Sequence, residues 1–508
     1  MKDKIKEQMN KVMKTVDKEN VCLHAARLIT MDLYTICPEA AMAKEGELIA
    51  ELEKQAFEMR NDRDFVDAVS FLYDNNSELN EYEKALVGYY TRKRLYEKNL
   101  TSKTAYEFSK TEKKAFEDWS QAKENSDFSL FKNSFKDVIA MNRKKAELRE
   151  KTPEEEALLK NDYDVLLDFY DRGMTTGKLD ECFSLIKDRI IRLINDISKS
   201  PKQIRTDFLY RPVKEESQKK AAEYLHKVLG LPPERTVIST SKHGFSLRID
   251  EDDVRLSTSY NSDCFLSNIY TVIHEAGHSL FELLSPKEDN IYGIYENKTT
   301  GMHESVSRFY ENILGRSEAF IQFIYPGLKE IFPEILGDVT QRQLYEAVNF
   351  VKPGLIRVDA DEVTYTLHIL IRYELEKEIF LNKADPEDLP DLWNKKYAEY
   401  LGLMPQNDSE GILQDIQWTS DFGYFPVYCL GNFYNTMYYK KMAGEVDLVE
   451  LLKNGDFERI NEWMADNVFK KADILSPEQW IEDITGEALT PIPFIEYLEE
   501  KYKKIYML

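Results

Sequence analysis

The sequence predicts a mainly α-helical fold with one small β-sheet near the middle of the chain, on three observations. Ala, Leu, Glu and Lys recur with helical periodicity over most of the 508 residues. The stretch Thr236 to Thr258, TVISTSKHGFSLRIDEDDVRLST, is rich in Val, Ile, Ser and Thr with partial alternation, the pattern of short strands. No fixed-period repeat and no low-complexity linker divides the chain. One domain over residues 1–508 is therefore expected, with a helical region at 1–235, strands within 236–260 and a second helical region at 261–508.

Within the first region, Asn75-Asn76-Ser77, Ser126-Asp127 and Arg172-Gly173 punctuate a succession of long helices. Lys110 to Lys123 and Asn142 to Lys160 are highly charged with both signs mixed, and read as exposed helix faces. The character changes at Pro232-Pro233, and helical periodicity returns at Phe265. Hydrophobic residues make up 43% of the chain and charged ones 31%, an ordinary globular composition. The net charge of −23 repels phosphate backbones, which argues against nucleic acid as a partner. The N-terminus, MKDKIKEQMNKVMK, lacks the apolar core of a signal peptide, and no apolar run of about 18 residues predicts a membrane span. Five scattered cysteines without a CxxC pair read as reduced thiols, so a cytoplasmic location is expected.

The strongest chemical signal is His274-Glu275-Ala276-Gly277-His278, an H-E-x-x-H pattern. Positions i and i+4 share one helix face, so both imidazoles can reach a single cation. Imidazole nitrogen suits zinc, and a catalytic zinc site keeps three protein ligands and one open position. Glu275, beside the first His, is placed to act as general base toward a metal-activated water. Leu266, Ile269, Tyr270, Ile273, Leu280 and Leu284 form an apolar stripe that supports a helix, which Ser285-Pro286 ends. With only seven histidines in the chain, a chance match is rare.

A third ligand is expected from a second helix, read from MHESVSRFYENILGR and ending near Gly315. By spacing alone Glu304, Glu282 and Glu311 all compete for that place. His303 adjoins Glu304, but neighbouring helical residues point about 100° apart, so it reads better as a supporting or packing histidine.

From Thr236 to Tyr439, and more faintly near the N-terminus, the chain resembles the Taq-type family of cytosolic metallocarboxypeptidases. That family carries HPF, DxRxT, HExxH, HESQ, IRxxAD and GxxQDxHW elements in this order. Here they stand as His243-Gly244-Phe245, Asp253-Val254-Arg255-Leu256-Ser257, the HEAGH segment, His303-Glu304-Ser305-Val306, Ile356-Arg357-Val358-Asp359-Ala360-Asp361 and Gly411-Ile412-Leu413-Gln414-Asp415-Ile416-Gln417-Trp418. The resemblance implies a homodimer with a zincin-like (neurolysin-like) helical fold and a deep groove. It implies that His274, His278 and Glu304 bind the metal, with Glu275 as base. It further implies removal of single residues from the free C-termini of peptides, with broad preference.

An arginine is the natural partner for a terminal carboxylate, because its fork pairs both oxygens. Arg357 is the first choice and Arg255 the second, although each motif also supplies an acid with which its arginine can simply pair. Tyr424, in the FGYFP segment, is assigned as oxyanion donor on the family segment alone. The resemblance places His243, Asp253, Gln414, Asp415 and Gln417 along the closed end of the groove as substrate-binding residues. Gly244, Val306 and Gln417 depart from the family's Pro, Gln and His, which puts selectivity rather than chemistry at issue. Zinc is the expected metal, with cobalt or manganese also compatible with these ligands. Two other functions fit the same residues: an oligopeptidase cutting internal bonds, and a catalytically weak peptide-binding protein that keeps the fold.

Overall fold

The computed structural model describes residues 1–508 and opens with four helices: α1 (Lys2–Thr35), α2 (Met42–Arg60), α3 (Arg63–Asp74) and α4 (Glu81–Glu97). Asp62 accepts the Asp64 N–H at the start of α3, and Asn80 and Glu83 close a reciprocal capping box on α4. These acceptors serve N–H groups that a helix leaves unpaired at its start. Ile5, Met9, Val12 and Val16 recur along one face of α1 and pack with α3 and α4 in a small core of 14 buried residues. Ile294, from far along the chain, plugs into that same core.

The predicted breaks fall where helices end: α3 stops at Asp74, and another helix runs Ser102–Asn125 before Ser126 turns left-handed. Two predictions need correction. The segment 110–123 is not simply an exposed face, because Ala115, Trp119 and Ala122 are buried in the main core. The segment 142–160 is not simply an exposed face, because Asn142, Ala146, Arg149 and Leu159 are buried. Arg149 pairs at 2.7 Å with both Glu155 and Asp168, so two carboxylates compensate its lost hydration.

The strand-like stretch resolves into β1 (Thr236–Thr240), β2 (Phe245–Asp250) and β3 (Asp253–Thr258), ordered β1-β3-β2. β3 pairs parallel with β1, starting at Thr236↔Val254, and antiparallel with β2, starting at Phe245↔Ser257. Val254, Leu256 and Thr258 alternate into the interior, as the pleat requires. This leaves β2 as an edge strand beside the next helix.

That helix runs from Phe265 to Leu283 and carries the HEAGH segment; its Ile269, Ile273, Ala276 and Leu280 are buried. A second helix, Thr300–Arg308, starts on the Thr299 hydroxyl and widens into a π-helical turn over Phe309–Leu314. Gly277 lets the two approach, since a Cβ there would lie 2.7 Å from Ser307 Cα. On the opposite side Gly431, in the helix Pro426–Glu445, does the same: a Cβ would lie 3.0 Å from Glu304 Cβ. The helix that carries Glu304 thus meets both neighbouring helices at glycine contacts. These elements belong to the main core of 107 buried residues, which runs from Ala115 to Tyr506. No helix is long and apolar enough to cross a membrane, and all five cysteines are free.

Candidate metal centre

His274 and His278 lie one turn apart and Glu304 comes from the neighbouring helix; one potential ligand atom from each lies within 4.8 Å of the others. His278 Nε2 is 4.0 Å from Glu304 Oε1. The remaining imidazole nitrogens are engaged away from this point. His274 Nδ1 lies 2.9 Å from Glu311 Oε2, and His278 Nδ1 lies 3.3 Å from His303 Nδ1. Metal-binding imidazoles characteristically carry such a partner on the second nitrogen. The two acids that competed with Glu304 by spacing therefore sit behind the rings: Glu311 holds His274, and Glu282 lies 2.9 Å from His303 Nε2.

The donor set fits a divalent cation. Glu304 Oε2 is buried without a hydrogen-bond partner, with Arg308 Nε 3.7 Å away and itself unpartnered. Burial disfavours a charged His274, yet the Glu311 hydrogen bond and the fields of Glu304, Glu311 and Glu275 outweigh it and raise its pKa to about 9. Two imidazoles with one carboxylate are a usual zinc set.

Glu275 is buried and turned toward the sheet. Ser246 Oγ on β2 lies 2.8 Å from both its carboxylate Oε2 and its main-chain carbonyl, donating its one proton to either. Burial raises the Glu275 pKa above the ordinary value, while His274 and the Ser246 hydroxyl oppose the rise. A carboxylate shifted upward is a better proton acceptor from water. Tyr424 packs edge-on against Tyr170 and Tyr428, and burial, followed by the Glu304 charge, pushes its phenol up to about 12. It is therefore a protonated donor at neutral pH, within the field of the Glu304 carboxylate.

The motif residues farther along the chain form a second cluster. Arg357 is buried; its Nε donates to Asp415 Oδ1 at 2.9 Å and its Nη1 to the Tyr365 hydroxyl at 3.3 Å, leaving Nη2 without a protein acceptor. Burial works against its charge, but Asp415 and the tyrosines Tyr365 and Tyr428 more than compensate, and its pKa lies above the usual arginine value. Arg308 bridges the two clusters, its guanidinium 4.4 Å from the Tyr365 ring centre and 5.6 Å from that of Tyr428. Gln414 accepts the Arg357 N–H and donates to the Leu355 carbonyl, so it ties the loop together. Gln417 Oε1 is buried without a partner.

Two motifs are arranged differently. Arg255 presents Nε and Nη2 to Asp253, at 2.9 and 2.6 Å, so its fork is filled by its own motif. The His243 side chain is exposed and makes no hydrogen bond or ion pair; only its carbonyl is used, accepting from Ser241. Ser246, Arg308, Tyr365 and Arg372 were not singled out from the sequence. Ser246 follows directly on the HGF element, and Arg308 lies one turn past Glu304 on the same helix face, which are the signals that could have found them.

Comparison with known proteins agrees with this geometry. The family model described as carboxypeptidase Taq (M32) metallopeptidase matches residues 11–502. Carboxypeptidase 1 of Bacillus subtilis is 34% identical over 488 residues, covering 95% of this chain and 96% of that protein. Thermostable carboxypeptidase 1 of Thermus thermophilus is 36% identical over 411 residues, 80% of each chain. Among solved structures, the M32 carboxypeptidase of Deinococcus radiodurans superposes with a TM-score of 0.93 at 27% identity, covering 99% of this chain and 100% of that one. The chain belongs to the carboxypeptidase Taq (M32) metallopeptidase family and is a metal-dependent carboxypeptidase.

Proposed function

We propose that His274, His278 and Glu304 hold a zinc ion and that Glu275, Tyr424 and Arg357 work around it to release single C-terminal amino acids from peptides, with broad preference. The observation that carries this reading is the convergence of the three ligand atoms with the outer imidazole nitrogens already held. When bound, the cation acidifies a water and polarises a carbonyl. Glu275, its carboxylate oriented by Ser246, takes the proton of the attacking water and returns it to the leaving amine. The Tyr424 phenol donates to the oxyanion as it develops. The free Nη2 edge of Arg357 receives the terminal carboxylate, and Gln414 and Asp415 fix that edge in place. Asp253, Arg255, His243 and Gln417 line the closed end of the substrate groove.

The rest of the reading follows the family resemblance. Residues 1–508 work as one peptidase domain, in a homodimer, and the five free thiols suit a cytoplasmic setting. Cobalt or manganese can replace zinc at such ligands.

Glu275→Gln tests the core of the proposal. It keeps the volume and removes the base, so kcat should fall by roughly 10²- to 10⁴-fold, while metal content per protein stays at the wild-type value. A variant that turns over at the wild-type rate overturns the role of Glu275.

A further inference from the structure

Behind the candidate metal centre lies a line of half-buried and buried polar side chains, and no step of the proposed mechanism uses those beyond His278. His278 Nδ1 faces His303 Nδ1 at 3.3 Å, and His303 Nε2 faces Glu282 Oε1 at 2.9 Å. Glu282 is flanked by Arg248 Nε at 3.4 Å and Lys298 Nζ at 3.8 Å, and Lys298 reaches Asp473 at 2.5 Å. Lys298 and Asp473 side chains are 1% and 0% exposed. The members come from the HEAGH helix, the Glu304 helix, the connection between them and a segment near the C-terminus. Buried ion pairs contribute little net stability, because desolvation offsets attraction, so stability alone is a poor reason to assemble one.

We infer that Glu282, His303 and Lys298 are positioning residues that fix the tautomer and the ring orientation of His278; this rests on reading His278 as a metal ligand. The logic is a proton count. An ionised carboxylate only accepts, so His303 must carry its proton on Nε2 to meet Glu282. An imidazole with its single proton on Nε2 offers a bare Nδ1. The facing His278 Nδ1 must be the one that is protonated, since two bare or two protonated nitrogens at 3.3 Å would repel. His278 Nε2 is left as a lone pair directed toward Glu304. Lys298 and Arg248 keep the Glu282 carboxylate charged, and Phe281 packs on the His303 ring with 4.9 Å between ring centres, limiting its rotation. His274 reaches the same outcome through one carboxylate, Glu311, whereas His278 needs a relay. Glu282 lies one turn beyond His278 on the same helix face, and the imidazole of His303 spans the gap between them.

Four variants and one spectrum test this on the full-length protein. Zinc affinity is measured by chelator competition on metal-stripped protein, with the urea midpoint followed in parallel. His303→Phe keeps ring bulk and the Phe281 contact but removes the acceptor. It should weaken zinc binding by roughly 10- to 100-fold, the usual effect of removing such a partner, with KM unchanged once zinc is saturating. His303→Gln, whose amide accepts from His278 and donates to Glu282, should recover most of that loss. Lys298→Met should weaken zinc binding in the same direction as His303→Phe. In zinc-loaded wild-type protein, ¹⁵N-histidine spectra should show His303 protonated on Nε2; a proton on Nδ1 overturns the inference, even where a variant fails to fold. His278→Ala separates the two readings. If it abolishes zinc binding while His303→Phe binds within twofold of wild type, the positioning role is wrong. If His278→Ala binds zinc normally, the ligand assignment itself is wrong.

Discussion

The metal end and the Arg357 end of the site dispose of buried charge in opposite ways. Beside His274 and His278, Glu304 Oε2 is buried with no hydrogen-bond partner. Around Arg357 two carboxylates, Asp415 and Glu376, face two arginines, and Arg372 Nη1 and Nη2 are buried without a hydrogen-bond partner. Asp415 takes Arg357 Nε at 2.9 Å and faces Arg372 Nη1 at 3.7 Å, while Arg372 donates to Glu376 at 2.8 Å and lies over the Trp418 ring. The first arrangement is a donor set that fits a cation from outside; the second pairs most of its charge within the protein and leaves the Arg357 Nη2 edge without a protein acceptor. The same type of substitution should therefore read out as lost metal at one end and as lost stability at the other.

Asp415→Ala should show the largest effect. It strands Arg357 and weakens the support of Arg372, both buried, and removing one partner of a buried pair costs about 3–5 kcal/mol. Glu304→Gln, compared as metal-stripped protein, removes a carboxylate with no hydrogen-bond partner on Oε2 and its nearest cation, Arg308 Nε, 3.7 Å away, and should cost much less. Urea unfolding of the two variants measures the contrast, and equal losses would break it.

Arg357→Lys sharpens the second half of the comparison. Lysine retains the charge but not the planar fork that pairs Asp415 and a second carboxylate together. With a charged hydrogen bond worth about 1.5–3 kcal/mol, kcat/KM on a peptide with a free C-terminus should drop by roughly 10- to 150-fold. The C-terminally amidated form of that peptide should be a poor substrate for both proteins and be little changed by the substitution. A wild-type preference that survives Arg357→Lys would assign the carboxylate clamp to another residue.

The two ends also differed in how far they could be read in advance. The HEAGH cluster was legible because His274, Glu275 and His278 fall within little more than one helical turn, where spacing fixes geometry, and the apolar stripe around it predicted a helix whose start at Phe265 the structure reproduces. Glu304 was not separable from Glu282 and Glu311 by spacing, since all three lie within reach. What separates them is the loop between the two helices and the Gly277 contact, which aim Glu304 at the open side of the rings and the other two at their backs. The Arg357 end was legible only through ordered motifs. Its partners, Asp415 and Gln414, lie 58 and 57 residues away, and Lys298 meets Asp473 across a still longer separation. No local pattern encodes such contacts. The buried Arg149, in a segment that reads as a solvated face, failed for the same reason: Asp168, its second partner, lies on a later helix.

The smallest predicted effect concerns Gly244, one of the departures from the family pattern and a point where the sheet touches the HEAGH helix. A Cβ at Gly244 would collide with the Thr271 methyl, and would also lie 3.1 Å from the Ser257 carbonyl and 3.7 Å from Glu275 Cγ. The missing side chain is therefore compensated from the helix, where Thr271 fills the space one turn before Glu275. Gly244→Ala should destabilise the protein by about 1–3 kcal/mol, the range for overpacking, and Thr271→Ser, which deletes the offending methyl, should recover most of that in the double variant. Both follow from urea midpoints, and a Gly244→Ala protein as stable as wild type would show that the loop yields freely. Activity adds a second axis. Gly244 sits two residues before Ser246, whose hydroxyl orients Glu275, so a displaced loop should lower kcat with little change in KM, and Thr271→Ser should restore both together.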